Sequence, residues 1–445
     1  MQASAQIEAP PAPAPLPSGS TQSPDAAPVD SPASDFNSGM TLEQALGMAM
    51  ANNPTIAQAQ ASVHRSQGEW SQSGFYPNPT LYYVGSELGQ QDQVGQQGVY
   101  VTQNIVTADK LRLNRAVAAG DIAASRAQVD AQRLRVHTDT TVRFYRALGA
   151  QQQVTITRQI ERNAEEGLAG TRELLRAGQI TEADELQAGI LLQQSAITRQ
   201  QAEVAAEAAW RELAVMLGLP QLAPALLVGE WDRASDAVAD FETAWFRLKE
   251  SSPELRAASA RVARTRAKVG REEAQAVPNI DAQFSVQQDV ITNYTIGYAQ
   301  VGIAVPIHHQ NQGSIAAAQA GHVRACRDYE RLELQLRDRL TAAYRQAESA
   351  RVAVTRYRDS VLPSASRNLE LTRVGYTRGE FDLLRLLTAQ RTFAETNVAY
   401  VAAQVELQSA AARIDGLLLS GGLDEPPPPQ SVGTSAGLAD VPRAD

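Results

Sequence analysis

The chain has a single cysteine, Cys326. That scarcity excludes an internal disulfide and a cysteine metal cage, and its position excludes lipid attachment at an N-terminal cysteine. Aromatic residues supply only 5% of the 445 positions, whereas Ala, Gln and Arg are abundant. Such a mixture suits long helices packed closely through small side chains. No apolar run reaches the roughly 20 residues of a membrane-spanning helix, which excludes a helical inner-membrane protein. Positive charge is in deficit: the net charge is -9 and the pI about 5.3, so no nucleic-acid surface is expected. The N-terminus lacks a charged-then-apolar signal segment; either the protein is cytoplasmic, or its signal has been removed or left off. Catalytic signatures are missing too. There is no phosphate-binding loop, no Ser/His/Asp arrangement and no acid/base pair. The expectation is a protein with no enzyme activity, no cofactor and no metal site. His64, His137 and His322 are scattered along helical stretches, and the adjacent His308 and His309 lack a Cys or carboxylate partner for a metal.

What the chain does have is a long internal repeat. Asn53-Pro54 and Pro77-Asn78-Pro79 return as Ser252-Pro253 and Pro278-Asn279, each proline 199 residues later. Gly120 and Gly321 stand 201 apart, Tyr145 and Tyr344 199, and Gly178 and Gly379 201. One structural unit therefore occurs twice and is expected to pack on its own copy about a pseudo-symmetry axis.

Residues 1–40 are rich in Ala, Pro, Ser and Gln, with eight prolines from Pro10 to Pro32, and residues 421–445 carry the run Pro426 to Pro429. Neither stretch buries enough apolar area to fold, so both are expected to be disordered. Between them the first unit covers 41–220, a linker 221–238 and the second unit 239–420. Thr41-Leu42-Glu43-Gln44 is a capping box that opens a helix, kinked at Pro54 and running to about Gly74. Strands at about 80–91 and 97–106 come after it. Next comes a helix from about Leu111 to Arg176, a break at Gly178, and a helix from Thr181 to Leu217. The second unit repeats the order: a helix at about 241–276, strands at about 279–290 and 294–306, and a helix from about Ser314 to Thr377. A break at Gly379 precedes a last helix ending near Gly416.

In the third strand Ile280, Ala282, Phe284 and Val286 alternate with Asp281, Gln283, Ser285 and Gln287; in the second, Val99, Val101 and Ile105 alternate with Tyr100, Thr102 and Asn104, broken by Gln103. One apolar and one polar face result. Each stretch is close to the roughly 9–11 residues of a tilted membrane-crossing strand. Along the second long helix, Tyr329, Leu332, Leu336, Leu340, Ala343, Ala347, Ala350, Val354, Tyr357 and Val361 keep a heptad-like seam. At about 1.5 Å per residue that helix spans about 90 Å, a length suited to a tube or rod. A soluble coiled-coil scaffold also fits the seam, but it does not account for four strands recurring at the same points of both units.

This order, with Leu42-Glu43-Gln44-Ala45-Leu46, Asn53-Pro54, Val305-Pro306-Ile307, Asn311-Gln312-Gly313 and Ile315-Ala316-Ala317-Ala318, resembles the outer-membrane efflux protein family, the TolC-like exit ducts. Arg378-Gly379-Glu380-Phe381 with Leu387-Thr388-Ala389-Gln390-Arg391-Thr392 is similar to its cation-efflux (CzcC-like) subgroup. The resemblance covers about 41–420. It implies a mainly α fold with a small membrane β-barrel contribution, in which three chains share a twelve-stranded barrel above a helical tube in the periplasm. It also implies a passive duct, with heavy-metal cations as cargo. The partners implied are outer-membrane lipid, a periplasmic adaptor and a proton-driven inner-membrane pump.

On that resemblance Gly178 and Gly379, natural helix-ending residues, mark the periplasmic tip. Arg176, Gly178 and Gln179, with Arg378, Gly379 and Glu380, become the adaptor contacts. Asp184 is placed at a constriction; its counterpart is Arg385, with Asp382 three residues earlier, so the alternatives are an acidic ring, an Asp184–Arg385 pair that holds the tip shut, or a solvated charge on the helix surface. His308, His309, Trp70, Phe75 and Tyr76 are placed at the membrane–water boundary.

Overall fold

The computed structural model describes residues 39–86, 95–231, 240–289 and 293–425. Thr41, the last residue of strand β1 (Met40–Thr41), caps α1 (Leu42–Asn52), and Gln44 completes the capping box. Asn53 is extended and caps α2 (Pro54–Ser73), its side chain accepting from the Thr55 amide. Strands β2 (Thr80–Ser86) and β3 (Gln96–Ile105) lead into α3 (Lys110–Arg176). α4 (Glu182–Met216) returns alongside it, and β4 (Leu227–Val228) closes the first unit by pairing in parallel with β1. The second unit is α5 (Phe241–Ser251), α6 (Pro253–Gln275), β5 (Ile280–Asp289), β6 (Thr295–Ile303) and α7 (Gln312–Arg356). A π-helical turn, Tyr357–Val361, joins α7 to α8 (Leu362–Thr377), and α9 (Leu383–Asp415) comes last.

The first helix of each unit is thus two helices rather than one kinked helix. Proline lacks an N–H and forces the residue before it out of the helical region, and Asn53 and Ser252 sit at ψ 118° and 120°. Residues 87–91, expected to continue the first strand, lie outside the described residues. The described part of the inter-unit linker is built into the fold, since it contributes β4 and sets Trp231 against Tyr145, rings 5.9 Å apart. Residues 421–425, expected to belong to the tail, are also placed. The Gly421 and Gly422 amides donate to Asp139 Oδ2 at 3.0 and 2.8 Å, and Gln132 donates to the Gly422 carbonyl.

Sheet and helices share one lateral order. The four-stranded antiparallel sheet runs β2-β3-β5-β6, and below it α2 packs on α3, α3 on α6 and α6 on α7. The β3–β5 and α3–α6 seams therefore join the two units, while β2 with α2 and β6 with α7 form the outer edges. Two apolar clusters hold the units. One gathers Ala45, Val136, Phe144, Trp210, Leu213 and Leu217; the other gathers Ala244, Leu248, Leu336, Leu340, Ala347 and Ile414.

Burial fixes how the units correspond. Ala118 and Ala318, Val136 and Leu336, Ala147 and Ala347, and Val154 and Val354 are all buried and stand 200 apart. Beyond the π-helical turn the spacing is 201, as for Ala164 and Ala365 or Thr171 and Thr372. α3 runs unbroken for 67 residues, about 100 Å. Its counterpart carries one extra residue, absorbed where the helix widens by i→i+5 bonding. Two pairings expected from the sequence are corrected accordingly. Gly120 corresponds to Ala320 rather than Gly321, and Tyr145 to Arg345 rather than Tyr344. A Cβ on Gly120 would meet Arg264, whereas Gly321 has open space around it.

Candidate functional site

Two regions are built for work: the paired hairpin turns at one end of the helices, and the sheet at the other. Each hairpin turn is a glycine-ended helix. Gly178 and Gly379 adopt φ +70° and +73°, left-handed geometry that glycine enters without a Cβ penalty. The amides of Gly178 and Gln179 donate to the carbonyls of Leu175 and Leu174, and those of Gly379 and Glu380 to Tyr376 and Gly375. These are the paired terminal bonds of a Schellman motif. Arg176, Gly178, Gln179, Arg378, Gly379 and Glu380 are all exposed. Among the described residues, neither Arg176 nor Arg378 is in an ion pair, so both turns present free cationic side chains.

The acidic residues next to the turns cap helices. Asp184 Oδ2 accepts from the Thr181 amide at 2.9 Å and the Thr181 hydroxyl at 2.7 Å. Those bonds, the backbone one foremost, hold the Asp184 carboxyl below its ordinary pKa. In the second turn the acid stands at the cap itself, where Asp382 Oδ1 accepts from the Arg385 amide at 3.1 Å. The Arg385 guanidinium lies over the Phe381 ring, 4.0 Å from its centre. Asp184 and Arg385 are therefore not brought together within the chain; each is engaged inside its own turn. The buried Tyr376 hydroxyl of α8 is raised in pKa, chiefly by burial, with a smaller contribution from the Asp184 carboxylate. Tyr376 and the Phe381–Gly375 contact were not anticipated. No periodic signal marks them: the Phe381 ring folds back onto Gly375 six residues earlier in its own turn, which only the turn's geometry brings about.

At the opposite end, the register sorts the sheet into two faces. Leu81, Val101, Phe284 and Ala299 form one transverse row; Tyr83, Val99, Val286 and Gly297 form the next, with Ile105, Ile280 and Ile303 towards the helices. This face is apolar and open, with Leu81 68% and Val301 75% exposed. The other face carries Thr80, Thr102, Gln283 and Gln300, then Tyr82, Tyr100, Ser285 and Tyr298, then Asn104 and Asp281. Tyr82 and Tyr100 stack at 4.6 Å. A broad apolar face left exposed is a surface for lipid, not for water, which sets aside the soluble-scaffold alternative.

The junction between sheet and helices is polar and tight. Buried Lys110 donates to the Val277 carbonyl and to Asn279 Oδ1, Thr107 to the Pro278 carbonyl at 2.6 Å, and Asn279 to Asn104 Oδ1 at 2.9 Å. Burial, with a smaller effect of Arg271, lowers the Lys110 pKa. Phe75 and Tyr76, and likewise His308 and His309, are exposed beside this junction, while Arg115 covers Trp70 at 5.0 Å. Among the described residues no helix is long and apolar enough to cross a membrane, and no group of three or more His, Cys, Asp or Glu is placed to hold a metal ion.

The outer membrane efflux protein family model matches residues 45–219 and 247–418, one segment in each unit. The cobalt-zinc-cadmium resistance protein CzcC of Cupriavidus metallidurans is 24% identical over 381 residues, 85% of this chain and 90% of that protein. Among solved structures, CusC, studied for its folding and transmembrane channel formation, superimposes with a TM-score of 0.72 at 16% identity, covering 85% of this chain and 92% of that one. The outer membrane protein VceC of Vibrio cholerae gives 0.70 at 15% identity, with 85% and 96% covered. With an apolar strand sheet above two long helical hairpins, and a family match in both units, the chain belongs to the outer membrane efflux protein family: it is an outer-membrane efflux channel whose helices lie in the periplasm.

Proposed function

We propose that three copies close into a passive exit duct of a tripartite efflux system that removes heavy-metal cations. The observation that carries this reading is the sheet: its inner strands are paired, its outer strands β2 and β6 are paired on one side only, and its apolar face is bare. Unpaired backbone groups in lipid cost several kcal/mol each, so four strands are not stable there alone. A ring of three chains pairs every edge, giving a twelve-stranded barrel with the tyrosine and glutamine rows facing a watery lumen. The drive is assigned, by the likeness to the efflux family, to an inner-membrane, proton-driven pump joined through a periplasmic adaptor. The free Arg176 and Arg378, with Gly178, Gln179, Gly379 and Glu380 of the same two turns, form the adaptor contact. Asp184, Asp382 and Arg385 shape the opening beside it. The metal cargo is argued from the likeness to CzcC, a cobalt-zinc-cadmium resistance protein.

The test is direct. Purified protein is expected to run as a trimer in detergent, to conduct ions in a planar bilayer, and to restore cobalt, zinc or cadmium tolerance to a strain lacking it. A monomeric, non-conducting species overturns the duct; a conducting trimer that restores no metal tolerance overturns the cargo alone. Charge reversal of Arg176 and Arg378 together is expected to abolish tolerance while leaving conductance, and unchanged tolerance removes them as adaptor contacts.

A further inference from the structure

The two units correspond helix by helix, so a contact made between them inside the chain predicts a contact the chain makes with a neighbour. Within the chain, α9 of the second unit lies on α3 of the first. Its knob is Val405, whose Cγ2 lies so close to Gly149 that a Cβ there would collide with it. Only glycine leaves that hole deep enough. The same helices correspond at known spacings. α4 and α9 are 201 apart, since Ala188 and Ala389 and then Ser195 and Thr396 are buried alike. α3 and α7 are 200 apart up to Val354. Applying both, Val405 maps onto Val204 and Gly149 onto Ser349.

Both of those positions are unused in the single chain. Val204 is 68% exposed, the outermost of an open apolar row on α4 that includes Ile190 and Ile197 at seven-residue steps. Ser349 is exposed beside Ala350 and Ala353 in a shallow hollow of about 400 Å³. Knob and hole exist, but nothing in the same chain joins them.

We propose that Val204 of one copy inserts between Ser349 and Ala353 of the next, making α4 against α7 the copy-to-copy seam of the tube. This rests on the trimeric duct proposed above and names the surface that builds it. Charge supports the choice of occupant. Gln408 donates to the Trp231 carbonyl and Tyr145 packs on the Trp231 ring. The same two spacings carry Gln408 and Tyr145 onto Glu207, which pairs with Arg211 on its own helix, and Arg345, which lines the hollow with Glu406, so both sides of the seam carry charges of both signs. Serine in place of glycine makes the second hole shallower, so the seam between copies is looser than the one inside the chain. Because α4 of each copy meets α7 of the next, the contact is head-to-tail, the kind that a ring of three copies requires.

The experiment uses full-length protein carrying Cys326→Ser, Val204→Cys and Ser349→Cys, oxidised in membranes and run without reductant. Disulfides form when Cβ atoms are about 3.5–4.5 Å apart. Most chains are expected to move into covalent dimers and trimers, with no larger product. Val204→Cys with Leu334→Cys, exposed on α7 well away from the hollow, is the control and is expected to stay monomeric under oxidation. A protein that is trimeric in detergent but does not cross-link through 204 and 349, or cross-links equally in the control, overturns the seam and leaves the duct standing. A protein that is not trimeric at all overturns the duct, and the seam with it.

Discussion

The seam that joins the two units holds a buried ion pair whose removal gives a quantitative test of how the halves recognise each other. Arg264 Nε of α6 meets Asp121 Oδ1 of α3 at 2.7 Å, with side chains only 12% and 8% exposed. Gly120 lets the helices approach so closely that a Cβ there would stand 2.5 Å from the Arg264 Cβ. Burial raises the Asp121 pKa, and Arg264, which pulls it down, does not overcome that. The ionised pair therefore sits in the seam at a net desolvation cost. Removing one partner strands the other charge, for which about 3–5 kcal/mol is typical. The small residual exposure of both side chains puts Asp121→Ala and Arg264→Ala near the lower end, about 3 kcal/mol each. Replacing both by apolar residues of similar size, Asp121→Leu with Arg264→Met, removes the penalty and the attraction together, and is expected to cost about zero or to stabilise. Urea unfolding of the detergent-solubilised protein, followed by circular dichroism, reads the difference in midpoint. The pH dependence adds a sign. A carboxyl with a raised folded-state pKa binds its proton more tightly folded than unfolded, so the wild type gains stability as pH falls from neutral through the raised value. The double variant lacks that gain. If the double variant loses as much as the two single variants combined, the two side chains do not act as a pair and the reasoning fails.

Lys110→Ala leaves the Val277 carbonyl and Asn279 without their buried donor; the expected loss is about 1–3 kcal/mol, read as a lower trimer melting temperature, and an unchanged melt refutes the clamp. Gly178→Ala or Gly379→Ala places a Cβ at φ +70° or +73° and is expected to cost about 1–2 kcal/mol locally, seen as faster hydrogen exchange confined to the turn. The Thr181–Asp184 box has the opposite pH sense to Asp121. Its lowered pKa means the cap contributes above the ordinary aspartate range and is lost as pH falls through the folded value, so exchange at the start of α4 should quicken in acid, and Asp184→Asn should remove that step.

Much of the architecture was legible because the signals are long. The strands showed at 280–289 and 96–105 because apolar residues alternate there, with one break at Gln103, and the hairpin turns showed because only glycine suits their backbone. The Pro54 and Pro253 breaks were visible as prolines, but whether a helix bends or restarts there depends on whether Asn53 and Ser252 cap α2 and α6. The tip chemistry was least legible. Asp184 reads in sequence as a charge free to face a lumen or to pair with Arg385, and only the fold shows it bonded to Thr181 three residues away while Arg385 rests on Phe381. Similar spacing of acid and base in the two units disguised two different caps.

The same limit applies to the repeat itself, and the reason is physical. Matching glycines and tyrosines suggested spacings of 199 and 201, but a helix tolerates identical letters on different faces, and an error of one residue turns a side chain by about 100°. Burial is the sterner criterion, because the inward face of a long helix admits only residues that fit its neighbour. By that measure α3 and α7 run in step at 200 until the π-helical turn at Tyr357–Val361 takes up one residue. The insertion stays tolerable because it rotates everything beyond it only once, and α9 continues at the same new spacing of 201. A unit that was duplicated and then kept its inward face is bound to keep its outward face in the same register. The contact between Gly149 and Val405 inside the chain is therefore the best available template for the contact between one chain and the next.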